Sequence, residues 1–446
     1  MYCDSAWLFS DENRLRAFEN VRINQGDTLF LSGDYLQYNG NTRLAMVTGE
    51  EVILRDPDMT LTTTRLDINR NKHLAYYLQF GEIIDGENTL TSFQGFYETQ
   101  SKIFHFKDSV VLVNPEYRIE SDTLDYNSHT KVSYFRGPST ITSDSSFIYC
   151  ENGRYNTLSD IAQFNENALI YEDNRFLTGD SIYFEQNRNY GEAWGNVLIH
   201  DTVENYLISG QYGEYHGYRD SLFVTQEPLY TLVDEEKDSL FLHADTLISV
   251  KRFDSLASEY DLLRAFYKVK FYKSNLQGKC DSLSYASLDS TFKMYNNPIL
   301  WDDSTQITGD TIYLEMRNDE PDSLKVFPDA FMLSLVDSTK ENQVSGIRIL
   351  GKFKNSELSR VLVSGNGQTI YYPQEEDGDF IGMNRSLCSN ILIHLKENEI
   401  KRIIFLKKPE GKLYPLENLS GELKFLPGYL NRFEERPDEK RDLFWD

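Results

Sequence analysis

One phrase returns along this chain at a nearly constant interval, and nothing else constrains the fold as strongly. FLTGDSIYFEQ (176–186) comes back as QITGDTIYLEM (306–316). Looser copies are FLSGDYLQYNG (30–40), IESDTLDYNS (119–128), LHADTLISV (242–250) and GKCDSLSYAS (278–287). A sister phrase carries Gly two places on and Tyr four places on: SFQGFYE (92–98), YCENGRYN (149–156) and ISGQYGEYH (208–216). With the Asp as position zero, the copies start at residues 4, 34, 64, 93, 122, 151, 180, 211, 245, 281 and 310, spaced 29 to 36 apart. A period of this size marks a stack of supersecondary units rather than a set of globular domains.

Position +4 is apolar or aromatic in ten of eleven copies, Ser249 being the exception. Position +2 is Leu or Ile in seven and Gly or Ala in the rest. Side chains two apart share one face of a strand, so each unit carries a strand with a dry face and a wet one. A second set of strands follows the first, each opened by a turn-type residue: ENVRI (19–23), GEIID (81–85), ENALIY (166–171), GNVLIH (195–200) and NPILW (297–301). No helical period is sustained over residues 1–345. The expectation is an all-β fold of ~30-residue repeats, with two opposed sheets, one per strand set. At one rung per unit, eleven units would span ~50 Å.

The chain has 446 residues, with 45 Lys and Arg against 70 Asp and Glu, a net charge of −25. That balance argues against nucleic acid as the main partner, because binding phosphate backbones needs a basic surface. No stretch approaches the ~18 apolar residues of a membrane-spanning helix. The 29 Tyr and 27 Phe favour strands and largely fill the repeated column. The start, MYCDSAWLFS, lacks a basic segment followed by an apolar run, so no export signal is visible. The repeat is already in phase at Asp4, which implies missing upstream residues. An open N-terminal edge suited to end-to-end stacking is the alternative.

The chemistry of catalysis is not found. GxSxG, HExxH, Walker A and GxGxxG are absent, and the seven His show no close ligand spacing. No cofactor, metal or enzymatic activity is expected. The recurring Asp reads as a turn cap that bonds nearby backbone N–H groups. Cys3, Cys150, Cys280 and Cys388 form no CxxC pair and read as four unpaired thiols, with three pairings open in an oxidising compartment.

From Val344 the phrasing changes, and the domain division expected is 1–345 and 346–446. Asn390–Leu395 and Ile400–Leu406 read as a hairpin. The aromatic, charged tail ELKFLPGYLNRFEERPDEKRDLFWD has no assigned place.

The GD[ST]IxY phrases and GNVxI strands resemble those of the OstA-like proteins of Gram-negative envelopes, related to LptA and to the N-terminal domain of LptD. GNGQTIYYP (365–373), NRSLCSNI (384–391) and Arg436-Pro437 are similar to the long form of that family. The resemblance implies an elongated V-shaped β-jellyroll, or β-taco, whose apolar groove shields acyl chains. It implies a periplasmic location, with association with the outer membrane as a further expectation. Implied partners are lipopolysaccharide or a related glycolipid and other Lpt-type jellyrolls joined edge to edge, possibly a second copy. Implied groove residues are Leu36, Tyr38, Leu66, Ile68, Leu124, Tyr126, Ile182, Phe184, Val197, Ile199, Leu247, Leu283, Tyr285, Ile312 and Leu314. From the residues alone, the same columns fit a structural or adhesive solenoid with a dry core, or an outer-membrane barrel whose hairpins recur near this period.

Overall fold

The computed structural model describes the whole chain except residues 27–28, 58, 173, 204, 234–237, 319, 376–377, 398 and 445–446. Among the described residues it is all-β, with short 3-10 turns and no α-helix. The chain forms two compact units, Met1–Val203 and Glu204–Asp446.

In the first unit the strands are long, typically ten to twelve residues, and antiparallel to their neighbours. Alternate strands carry left-handed residues in the middle, and the register with both neighbours shifts there. Strand Arg14–Gln25 carries Glu19 and Asn20 at φ 60° and 48°, and strand Ile161–Glu172 carries Glu166 and Asn167 at 60° and 58°. Two consecutive left-handed residues form a bulge that kinks a strand and shifts its register, and Asn tolerates that conformation best among residues with a side chain. The register shifts where they stand, between Phe18 and Val21 and between Asn165 and Ala168. The ENV, ENA and GNV openings thus lie inside strands rather than between them.

Position zero sits opposite each bend and ties it down. The backbone N–H of Asp4 donates to the Glu19 carbonyl at 3.0 Å, and that of Phe93 to Asp108 at 3.0 Å. The side chains add to this. Asp34 accepts from the N–H of Glu50 at 2.9 Å, and Asp4, Glu151 and Asp180 accept from the amides of Asn20, Asn167 and Asn196. The repeated Asp is a cap for a bend in the neighbouring strand. The same N–H bond recurs in the second unit at Asp245, Asp310, Ile347 and Ser389, so the geometry continues beyond the last copy legible in the sequence.

Two half-sheets result, and every bent strand contributes to both. This corrects the expectation of one sheet per strand set. A 30-residue unit therefore adds two rungs to each half-sheet, because its two strands both cross the bend.

The bends also break strands in two: in the first unit Leu74–Tyr77, Gly81–Asp85, Asn88–Ser92 and Gln94–Glu98 close a six-strand ring with Thr60–Asn69 and Ile103–Val113, and in the second unit several more strands are broken. The pairings there close into a ten-strand barrel. The circuit leaves Leu276–Ala286 through Thr291–Tyr295, Thr311–Arg317, Glu320–Phe327 and Arg348–Lys354 to Glu357–Tyr371. It returns through Glu341–Gly346, Ala330–Leu335, Thr305–Thr308 and Ile299–Asp302. Closure follows because the two longest members are bent and give one half to each side. Met383–Lys396 and Glu399–Leu406 form the expected hairpin.

The tail is a strap laid across the outer face of this unit. Gln343, 1% exposed, bonds the Lys424 carbonyl and the Leu426 N–H, both at 2.9 Å. Gln306, also 1% exposed, bonds the Leu430 carbonyl at 2.8 Å and the Arg432 N–H at 2.7 Å. Each side-chain amide thus does for the strap what a neighbouring strand's backbone would do. Between these anchors Leu426, Tyr429 and Phe433 cover Phe331, Leu333, Ile370 and Met383. Lys279 pairs with Glu435 at 2.7 Å further on. Strand Ala330–Leu335 is consequently buried on both faces. Gln343→Leu should cost about 1–3 kcal/mol in urea unfolding, because two strap groups lose their partner where water is excluded. It should also open residues 419–444 to protease before the rest of the chain.

Candidate apolar trough

Ladder partners, followed from strand to strand, turn the sequence columns into rows. In the first unit position +2 runs Ala17–Leu36–Val47–Leu66 and then Tyr77–Gly95–Phe106–Leu124–Phe135–Gly153–Phe164–Ile182–Ala193. The +2 glycines are space-makers. A Cβ on Gly95 would lie 2.4 Å from the Tyr77 ring. Across Gly153 the rings of Phe135 and Phe164 approach to 6.4 Å. Tyr77 is buried, bonds Ser92 Oγ at 2.6 Å, and has its hydroxyl pushed up to about 12 by desolvation.

Position −1 holds only small side chains from Cys3 to Gly309, Gly33, Ser92, Ser121, Gly179 and Ala244 among them. It stands next to the bend, where the half-sheets converge. A Cβ on Gly33 would meet Val47 at 2.6 Å, and one on Gly309 would meet Val326 at 2.5 Å. All four cysteines occupy this place, immediately before positions 4, 151, 281 and 389, and all are free thiols. Burial pushes the Cys150 and Cys280 thiols up to about 12. They serve as small apolar side chains.

A third row escaped the sequence reading. Position −3 and its partners run from Ile23 through Leu31, Leu54, Leu61, Ile83, Leu90, Leu112, Ile119, Ile141, Ile148, Ile170 and Leu177 to Ile199, all Leu or Ile. The signal stood three residues before position zero, Leu or Ile in nine of eleven copies, ahead of the conspicuous Asp.

The inner faces of the half-sheets meet across this interior. Tyr126 Oη, on one, reaches Asp85 Oδ2, on the other, at 3.3 Å, and Lys131 Nζ joins Asp85 at 3.2 Å. Burial raises the Tyr126 hydroxyl, and the nearby Asp85 carboxylate adds to that.

The predicted groove residues divide by depth and by unit. Leu36, Leu66, Leu124 and Ile182 are at most 2% exposed, at the floor beside the bend. Val197 and Ile199 are buried with them. Tyr38, Ile68, Tyr126 and Phe184 stand one step out and are half-buried. Leu247, Leu283, Tyr285, Ile312 and Leu314 belong to the second unit, and all but the half-buried Tyr285 are buried. The floor is packed core, out of reach of a ligand. The reachable apolar surface lies in the −3 row, where Ile141, Ile148, Ile170 and Leu177 become half-buried although the same row from Leu31 to Ile119 is buried.

The second unit is packed more tightly between its half-sheets. The rings of Phe271 and Phe292 approach to 6.5 Å, and the cavity beside them, lined by Leu276, Tyr285 and Leu314, measures about 40 Å³. That is room for water, not for an acyl chain. At its edge Asp302, 3% exposed, accepts from the Leu358 N–H while Oδ2 has no hydrogen-bond partner. Its carboxyl is raised to about 7, by desolvation first and then by Asp303 and Glu357, against the Leu358 N–H and Arg436.

Residues 1–122 match the family described as OstA-like protein. Over this segment the chain is similar to that family. The matched segment holds the strands that build the trough from its first bend to Ile119. No curated protein matches the chain at a significant level. Among the described residues no helix is long and apolar enough to cross a membrane, and no cluster of His, Cys, Asp or Glu is arranged to hold a metal.

Two measurements check this interior. With a thiol reagent on the native protein, Cys3 should react first, and Cys150, Cys280 and Cys388 only after unfolding. Asp302 has its carboxyl raised on folding, so its contribution is complete below the unfolded value near 4 and fades as pH rises through about 7. The urea midpoint of wild type should fall between pH 5 and pH 8.5, and Asp302→Asn should flatten that fall.

Proposed function

We propose that the chain is a lipid carrier of the lipopolysaccharide-transport type, acting as a periplasmic bridge in outer-membrane biogenesis without chemistry of its own. In this reading the bent half-sheets of Met1–Val203 are the two walls of a V-shaped jellyroll, and acyl chains lie between them. One observation carries it: the aliphatic −3 row opens to half-burial at Ile141, Ile148, Ile170 and Leu177, facing the interior that Tyr126 bridges. Such a wall recognises hydrocarbon without direction, at about 0.8 kcal/mol per buried CH₂, so a chain held there can slide. The OstA-like match supports the lipopolysaccharide-transport class.

Strand edges supply the assembly part of the proposal. Strand Ser5–Phe9 pairs with Arg14–Gln25 on one side, among the described residues, and holds Trp7 57% and Leu8 73% exposed. An unpaired edge with apolar side chains can take another strand. Partners would be Lpt-type jellyrolls or a second copy. Residues 346–446 are proposed as a module that closes the far unit.

A second reading, a structural protein with a dry core, is favoured by the second unit, where the pairings close into a barrel and the cavity beside Phe271 and Phe292 measures about 40 Å³. The two readings make opposite forecasts for lipid. Mass spectrometry of protein purified from envelopes should find co-purifying lipid, and a fluorescent fatty acid should bind in vitro. Ile148→Asn with Leu177→Asn should weaken that binding about tenfold through lost apolar contact, with the circular dichroism of strands unchanged. Protein that neither carries nor binds lipid is the dry-core protein. Leu124→Asp, in the buried floor, would report on folding instead.

A further inference from the structure

Within the first unit of this acidic chain a line of turns is basic. The turns at the outer end of the half-sheet that bears Tyr97 and Tyr126 stack on one another. The N–H groups of Arg70, Thr99, Ser128 and Thr157 donate at 2.9–3.1 Å to the carbonyls of Arg43, His73, Lys102 and Lys131, one turn back in each case. These four acceptors are all left-handed, with φ between 53° and 60°. They therefore hold the same place in four successive turns, roughly 9.6 Å apart at two strands per step.

In these four turns that place is basic, and Asn13 and Asp160, which hold it in the turns before and after, bound the line. Over residues 39–43, 69–73, 98–102 and 127–131 stand Arg43, Arg70, Lys72, Lys102 and Lys131, with His73 and His129, against the single acid Glu98. The chain as a whole has 45 cations to 70 acids. Arg43, Arg70 and Lys72 are exposed.

The line borders the trough. Lys102 Nζ donates to Tyr97 Oη at 3.0 Å, and Lys131 Nζ lies 5.8 Å over the Tyr126 ring. Both tyrosines belong to the +4 row, one step in from the rim. The opposite rim is acidic, with Asp56, Asp85, Glu87 and Glu116 in its turns. An anion entering between the rims is thus directed to one side only.

We propose that this rim binds the phosphate of an amphiphile whose hydrocarbon lies in the trough. The inference rests on the carrier reading and deepens it. Arg offers a planar fork to phosphate oxygens and Lys a compact charge, and successive turns let the group pass from one to the next. A nucleic-acid backbone does not fit, because a single cationic line lies opposite acids.

The test uses the full chain and three probes: lysophosphatidic acid, the monoacylglycerol of the same acyl chain, and inorganic phosphate. Wild type should prefer lysophosphatidic acid about tenfold or more, since charge-assisted hydrogen bonds are the strong ones. R43Q/R70Q/K72Q/K102Q should lose the preference and keep monoacylglycerol affinity, and R43K/R70K/K72R/K102R should restore it. R43Q/R70Q/K72Q alters exposed side chains alone and serves if the fourfold variant fails to fold. A preference equal in wild type and variants overturns the rim while the trough stands. Loss of both affinities together overturns it too, because the rim then only holds the mouth in shape. Inorganic phosphate binding as tightly as the lipid overturns the amphiphile assignment. Binding of neither lipid by wild type overturns the trough and the rim together.

Discussion

The bend carried by alternate strands is the constraint from which the rest follows. A straight antiparallel ladder of these strands would be one open sheet, dry on one side and wet on the other, with nothing to cover its apolar face. Two left-handed residues fold that sheet onto itself, and the dry face becomes an interior. The conformation is unfavourable for residues with a side chain, so it persists only where something holds it. Position zero does so, through its backbone N–H and, in several copies, through its carboxylate. It is the fastening of a hinge line repeated from Asp4 to Ser389.

Convergence at the hinge sets the size of each side chain by its distance from the bend. Position −1 admits only Gly, Ala, Ser, Thr or Cys, because a larger side chain would strike the valines opposite. Position +2 admits Leu or Ile, or Gly where Tyr77, Phe135 or Phe164 needs the space. Position +4 takes rings, often over a small partner, as with Tyr38 and Ala45 or Phe184 and Gly191. This gradient also explains the cysteines. They are spread far apart in the chain and meet one requirement, a small apolar group at the hinge.

The two units apply the same hinge differently. In Met1–Val203 the half-sheets leave an aliphatic row partly uncovered toward its C-terminal strands, and a polar bridge through Asp85, Tyr126 and Lys131 spans the interior. In Glu204–Asp446 the bends break the ladders, the pairings close into a barrel, and the strap seals the outer face. Burial on both sides of Ala330–Leu335 follows from Gln306 and Gln343, polar residues whose amides stand in for a strand that is not there. An open interior and a sealed one are thus compatible with one repeat.

The all-β class, the 30-residue period and the apolar +2 and +4 columns were legible in the residues, because alternation with period two survives any arrangement of the sheets. The −3 column was equally legible and was missed, since it precedes the conspicuous Asp. The bend was not legible: Glu19-Asn20 and Gly195-Asn196 read equally well as turns between strands, and only ladder partners on both sides show the strand passing through. Depth was not legible either. Leu124 and Tyr126 are two residues apart on one face, yet one is sealed at the hinge and the other half-open at the mouth. The place of the tail depended on Gln306 and Gln343, more than eighty residues upstream of what they hold. Sequence by itself determined which side chains share a face, because that is a property of one extended chain. Which face is core, which is wall and which is covered was decided by the tertiary structure, because burial depends on what the bend brings opposite.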